Sequence, residues 1–355
     1  MNTRNSGRNA DSIVFHGCGA TNEAAAAPQA GGQRRQTVIK GKRVKTIDVH
    51  AHAIIPKAFA LLGHDIATHQ FPHMDEVGST RIAAMDKQGI DIEVISVNPF
   101  WYQAQRDLAA EVCRINNETL AELCAKQPER FMGFASVTLQ DPKLAVEQLE
   151  HAVKKLGMKG PAVGASCAGS EFSDAKFHPF WAKCEALGVL VFIHPQSTPE
   201  LNKRFEGNGW LANTIGNPLD TTICLSKLIF EGTLDRFPNL KICSAHGGGY
   251  LPSYAPRSDH PCRVAPWHCN PTVQLKKKPT EYLKMMYYDT LVFTSEALRH
   301  LAAQVGSDRL VIGTDHPIPW EEDPVTHIMN APGFSDDERI AMLGGTAAKL
   351  LGIED

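Results

Sequence analysis

The stretch Thr46-Ile47-Asp48-Val49-His50-Ala51-His52 sets β-branched residues ahead of two histidines, and it governs how the rest of the chain is read. Residues two apart on an extended strand point the same way, so His50 and His52 project together from the strand's C-terminal end. Two imidazoles on one side make half a metal site, although chance placement explains a lone pair of this kind about as well. What decides the fold is recurrence. Seven further short runs end in polar or Gly/Pro clusters, at residues 92–97, 132–137, 161–165, 190–193, 241–244, 287–293 and 310–312. Most are continuously apolar, the pattern of parallel strands buried on both faces. Between them lie segments with helical periodicity, such as Ile82, Met85 and Ile90, then Leu108, Val112, Ile115, Leu120 and Leu123. Strand alternating with helix eight times predicts an α/β protein with a (β/α)8 TIM barrel, the open doubly wound sheet being the alternative.

Composition narrows the partners. A chain of 355 residues that is 43% hydrophobic and 21% charged has material for one large core. A formal charge of -3 offers no basic field for nucleic acid. No apolar run reaches the roughly 18 to 20 residues of a membrane-spanning helix. Nine cysteines, an odd number with no Cys-x-x-Cys pair, read as reduced thiols in a cytoplasmic protein. Residues 1–44 are rich in Gly, Ala, Asn, Gln and Arg and are expected to be a flexible N-terminal extension; residues 45–355 form the catalytic barrel domain. Arg34-Arg35 is followed by polar residues rather than an apolar region, so no export signal is expected.

Other strand ends carry further candidates. The fifth run ends in His194-Pro195, the sixth in Ala245-His246-Gly247-Gly248-Gly249, and the eighth in Gly313-Thr314-Asp315-His316-Pro317. Barrel active sites lie at the C-terminal ends of the strands, so four strands would deliver four histidines and an aspartate to one place. Three neutral imidazoles and a carboxylate suit one divalent ion, Zn2+ first and Mn2+ as alternative. With five candidates for about four positions, His246 is placed outside the ligand set, because three glycines follow it and allow close approach by substrate. Its expected role is acid–base catalysis.

The order His-x-His, His-Pro, Ala-His-Gly-Gly-Gly and Gly-Thr-Asp-x-Pro resembles the amidohydrolase superfamily, in the branch typified by 2-amino-3-carboxymuconate-6-semialdehyde decarboxylase. The likeness runs from about Thr46 to Ile353 and includes Arg81 to Gly89, Pro128 to Phe131, Gly216-Asn217-Pro218, Phe237-Pro238 and Gly345 to Leu351. The resemblance implies that His50, His52, His194 and Asp315 are metal ligands, and that His246 and Asp315 move protons beside the ion. It implies that Arg257 binds a substrate carboxylate, a task suited to the guanidinium fork. It also implies a homodimer, with residues 198–220 and 257–280 as candidate interface loops.

In one respect the chain departs from that pattern: residues 58–80 contain no arginine where the decarboxylase has a second one, and His64, His69 and His73 stand there instead. His69 and His73 become candidate substrate contacts, and the muconate substrate itself is not carried over. Trp101, in Pro99-Phe100-Trp101-Tyr102 after the second run, is a candidate aromatic wall. The group His260, Cys262, His268 and Cys269 matches no common zinc-finger spacing. The expected function is non-oxidative decarboxylation of an unsaturated or aromatic carboxylic acid. The alternative is a metal-dependent hydrolase or hydratase of ring-cleavage products, such as a carbon-carbon hydrolase or lactonase.

Overall fold

A computed structural model describes residues 34–69, 71–196 and 198–354. Strands β1 (Thr37–Ile39) and β2 (Lys42–Val44) come first. Then follow β3 (Ile47–His52), β4 (Ile92–Ser96), β5 (Phe131–Gly133) and β6 (Ala162–Val163). A small hairpin, β7 (Ser166–Cys167) and β8 (Ser170–Glu171), interrupts the series before β9 (Leu190–Ile193), β10 (Lys241–Ser244), β11 (Tyr287–Asp289) and β12 (Leu310–Val311).

Eight of these strands form a closed parallel barrel. β3, β4 and β5 pair in order, as do β6, β9, β10, β11 and β12. Parallel bridges from Ala135 to Pro161 and from Asp48 to Ile312 join the two sets at both seams. Each run expected from the sequence supplies one barrel strand. Several ladders are shorter than the apolar run that announced them: the seventh stops at Asp289, whose side chain accepts the backbone N–H of Leu291 and turns the chain away.

Two apolar layers hold the barrel. Val49, Val94, Phe134, Ala162, Phe192, Cys243 and Val311 form one cluster, and Phe134 stacks on Phe192 at 5.7 Å between centroids. A second, larger cluster lies between strands and helices and includes Val112, Leu149, Trp181 and Leu228. Burying one such side chain contributes about 1.5–3 kcal/mol. The helices end where the sequence supplies stops. Asp141 caps Pro142–Leu156 by accepting from the Leu144 amide at 3.1 Å, and Gly157, at φ 73°, closes its far end.

The expected flexible extension is too long at its C-terminal end. Residues 37–44 form the β1–β2 hairpin, turning through Lys40 and Gly41 at φ 51° and 74°, the two positive-φ residues of a tight hairpin turn. Ile39 and Val44 are buried, and Arg34 and Arg43 both pair with Asp91, the residue ahead of β4. Three alternating residues on either side of a turn were too short a pattern to stand out from a polar tail. Residues 1–33 lie outside the described residues.

Candidate metal centre and active site

The barrel's C-terminal rim gathers the residues that the strand ends announced. His50 and His52 close β3, His194 follows β9, His246 follows β10 and Asp315 follows β12. One ligand atom from each of His50, His52, His194 and Asp315 falls within 4.8 Å of the others, and all four side chains are buried. The Nε2 atoms of His50 and His52 lie 3.0 Å apart. Asp315 Oδ1 is 3.2 Å from His50 Nε2, 2.9 Å from His52 Nε2 and 4.0 Å from His194 Nε2. His246 stands beside the group, its Nε2 3.5 Å from the other carboxylate oxygen of Asp315.

Among the described residues, Asp315 Oδ1 and both ring nitrogens of His194 have no hydrogen-bond partner, although they are buried. Orphaned buried polar atoms are costly, and one cation shared between Asp315 Oδ1 and a His194 ring nitrogen would offset part of that cost. Three imidazoles and a carboxylate fit a borderline divalent ion.

The ion-free electrostatics point the same way. Burial lowers His50, but the carboxylates of Asp315 and Asp289 outweigh it and push its imidazole up to about 10. Burial holds His52 below the usual histidine range; it holds His194 well below, with His52 and His50 adding repulsion. Burial also opposes the charge of Asp315, yet His50 and the other surrounding imidazoles keep its carboxyl well below the usual carboxylate range. The site therefore sets one ionised carboxylate among two imidazoles that resist protonation and a third, His50, whose raised proton a bound cation would replace.

A polar layer behind the ligands was not anticipated from the sequence. His50 Nδ1 meets Asp289 Oδ2 at 2.6 Å, and His52 Nδ1 meets Ser96 Oγ at 2.8 Å. Partners of this kind orient a ligating imidazole and select its tautomer. Arg81 donates to the His52 carbonyl at 2.7 Å and to Glu93 at 3.0 Å, and Glu93 meets His316 Nδ1 at 2.8 Å. Asp48 accepts from Thr314 Oγ1 at 2.5 Å and from the His50 amide at 2.9 Å, while burial and then Glu93 push its carboxyl up to about 8. One signal was available: Glu93 is an acid inside an otherwise apolar strand, and a buried charge needs partners.

A cleft opens over the centre, lined by His246, Asn213, Thr214, Asn217, Phe293 and Trp320. Four aromatic rings from separate loops continue its wall. Trp210 stacks on Trp320 at 5.8 Å and 8°, Phe71 approaches Trp210 at 5.7 Å, and Phe293 approaches Trp320 at 6.0 Å. Trp210 and Phe293 sit at φ 48° and 67°, left-handed conformations unusual for bulky residues and typical of ligand-facing loops.

Several expected contacts lie elsewhere. Trp101 is fully buried and donates its indole N–H to the Val137 carbonyl at 3.0 Å, so it plugs the core and is not a substrate wall. Arg257 is exposed in a separate cleft with Tyr250, Tyr254 and His260, its guanidinium 5.9 Å from the Tyr254 ring. It does not line the cleft around His246. His69 lies beside Phe71 at the outer end of the aromatic wall, its Nδ1 accepting the Phe71 amide at 3.2 Å. His73 is exposed, 3.5 Å from Glu76. Neither lines the cleft around His246.

The three glycines after His246 are also required by the fold. A Cβ at Gly248 would come 2.7 Å from Tyr288, and one at Gly249 would come 2.2 Å from the Pro218 carbonyl. The reduced state expected of all cysteines is also corrected: the turns Pro261–Val264 and Pro266–His268 bring Cys262 and Cys269 together, Cα atoms 5.6 Å apart, in a disulfide. This removes both sulfurs from the doubtful zinc group. Cys113, Cys124, Cys167, Cys184, Cys224 and Cys243 are free thiols, and Cys18 lies outside the described residues.

Comparison with known proteins agrees with this geometry. The family profile described as Amidohydrolase matches residues 47–353. The chain is 32% identical over 277 residues to 2-amino-3-carboxymuconate-6-semialdehyde decarboxylase of Dictyostelium discoideum, covering 77% of this chain and 76% of that protein. It is 31% identical over 288 residues to gamma-resorcylate decarboxylase of a Rhizobium species, covering 78% and 87%. Dihydroxybenzoic acid decarboxylase of a Polaromonas species, solved with manganese and the inhibitor 2-nitroresorcinol, superposes with a TM-score of 0.77 at 28% identity, over 87% of this chain and 97% of that one. The parallel eight-stranded barrel, the four clustered ligands and the profile match agree: the chain belongs to the amidohydrolase family.

Proposed function

We propose that this protein is a metal-dependent non-oxidative decarboxylase, a carboxy-lyase acting on an aromatic or unsaturated carboxylic acid. The observation that carries the reading is the juxtaposition of the His50, His52, His194 and Asp315 cluster with His246, under a cleft walled by Phe293 and Trp320. The activities named for the relatives support it. His50, His52, His194 and Asp315 would hold one divalent ion, Zn2+ by donor set, with Mn2+ the rival because the Polaromonas relative holds manganese. The ion would supply Lewis acidity toward an oxygen of the substrate.

The chain's own residues account for the rest. Loss of carbon dioxide leaves an electron pair on the ring carbon, and a proton must replace the departing group. His246, at the cleft's edge and 3.5 Å from Asp315, is the proton donor, with Asp315 serving both as ligand and as its partner. The aromatic wall holds the ring flat against the centre and keeps water away. His69 and His73 remain outer contacts for a larger substrate.

Arg257 can serve the substrate only where a second copy brings it to the mouth, so a homodimer belongs to the proposal. Exposed Tyr254, Val264 and Trp267 on the same loop give such an interface apolar surface. No helix among the described residues is long and apolar enough to cross a membrane. A cytoplasmic setting is proposed from the six free thiols among the described residues, five of them buried, set against the one disulfide at the surface loop.

The test is gas evolution. Zn- and Mn-loaded protein is incubated with a panel of hydroxybenzoic and muconate-type acids, with carbon dioxide and product followed together. Stoichiometric carbon dioxide supports the proposal. Water incorporated into product without it would make the protein a hydrolase or hydratase.

A further inference from the structure

Asp289, the last residue of β11, is fully buried and belongs to neither the ligand cluster nor the cleft. Its two carboxylate oxygens nevertheless reach both. Oδ2 takes His50 Nδ1 at 2.6 Å and the backbone N–H of His246 at 2.9 Å. Oδ1 takes the backbone N–H of Gly247 at 2.9 Å and of Leu291 at 3.2 Å. His246 and Gly247 are consecutive left-handed residues, at φ 54° and 60°, an uncommon conformation for a side chain other than glycine. The space for this carboxylate is built in: a Cβ at Gly313 would fall 2.6 Å from the Asp289 Cβ.

We propose that Asp289 is a positioning residue that registers the metal ligand and the proton donor against each other. Through His50 it fixes the tautomer with the proton on Nδ1, leaving the Nε2 lone pair for the ion. Through the amides of His246 and Gly247 it holds the turn that aims the His246 ring at Asp315. One carboxylate thus sets the distance between the two halves of the centre. The inference rests on the metal-dependent reading above and goes beyond it, since it assigns a residue that neither binds the ion nor touches substrate.

The test is Asp289→Asn, which keeps the shape. Its one carbonyl oxygen can replace only one carboxylate oxygen and its NH2 can only donate, so either His50 Nδ1 and the His246 amide lose their acceptor or the Gly247 and Leu291 amides do, and His50 keeps at best a neutral acceptor. In zinc-loaded protein labelled with 15N-histidine, wild type should show a strongly downfield His50 Nδ1 proton, and in the variant that signal should move upfield or disappear. Zinc affinity should fall by about 10- to 100-fold. With metal in excess, kcat should fall at least about tenfold while KM moves less, because the His246 turn has loosened.

A variant that melts lower yet keeps the downfield Nδ1 signal, the zinc affinity and kcat would reduce Asp289 to a buttress and overturn the proposal. Should the variant not fold, the wild-type spectrum decides: a His50 that carries its proton on Nε2, or that binds zinc through Nδ1, is incompatible with the proposal. The spectra and zinc titrations need no substrate. A failure to find decarboxylase activity is therefore distinguishable from a failure of this assignment.

Discussion

The Nε2 atoms of His50 and His52 face each other at 3.0 Å, two lone-pair atoms that can share either a proton or a cation. Without an ion the proton is held on His50, pushed up to about 10 against an ordinary value of 6.5. A group raised in the folded state stabilises fully below its unfolded pKa and loses that contribution as pH rises through its folded pKa. Chelator-treated protein should therefore lose melting temperature between about pH 6.5 and 10, and metal-loaded protein should not. Over the same window zinc affinity should climb, since the ion displaces that proton. Differential scanning fluorimetry and zinc titration at several pH values check both.

His246 and Asp315 should separate in their effects. His246→Asn should leave metal content nearly intact while kcat falls by about 10² to 10⁴, the usual contribution of a proton-transfer group. Asp315→Ala should lose the ion itself, because a ligand oxygen disappears from the group within 4.8 Å. Metal analysis beside steady-state kinetics reads the difference, and equal metal loss in the two variants would refute the division of roles.

Trp320→Ala removes the ring that stacks on Trp210 and approaches Phe293. An aromatic pair contributes about 0.5–1.5 kcal/mol beyond its buried area, so KM for an aromatic acid should rise about two- to tenfold with a smaller change in kcat. An unchanged KM would mean that substrate does not lie against this wall.

Arg257 provides a test of assembly. Sedimentation should show a dimer, and Arg257→Ala should raise KM. Mixing Arg257→Ala chains with His246→Asn chains should restore part of the activity if the arginine acts across the interface, because one site in the mixed dimer is then intact. Absence of any restored activity would confine Arg257 to its own exposed cleft.

The ion pair of Arg81 and Glu93, at 3.0 Å with both partners buried, holds the layer behind His52. Burial opposes the Glu93 charge, but Arg81 and then His316 keep its carboxyl below the usual range. Arg81→Met leaves that carboxylate short of its main partner and should cost about 3–5 kcal/mol in urea unfolding.

The barrel was legible because strands buried on both faces cannot alternate, so each announces itself as an apolar run closed by polar residues. His50, His52, His194 and Asp315 were legible for the same reason: a polar residue at the end of such a run has no structural use. Asp289 shares that position but resembles a turn former, and only its contacts with His50 and His246 reveal what it does. Trp101 followed an apolar strand as Asp315 does, yet the direction of its side chain depends on loop packing that no periodicity encodes. The aromatic wall was illegible because Phe71, Trp210, Phe293 and Trp320 come from four separate loops. Residues 37–44 were missed because a hairpin with three residues on each side has too few positions to show alternation.

The β1–β2 hairpin has a practical consequence for handling the enzyme. Arg34 and Arg43 are both pinned to Asp91, at the end of β4 remote from the catalytic rim. A tether grafted onto this hairpin would anchor the barrel by the end opposite its mouth. Enzyme fixed to a resin in that orientation would hold its mouth toward the flowing solution, and carbon dioxide would leave on the side away from the support.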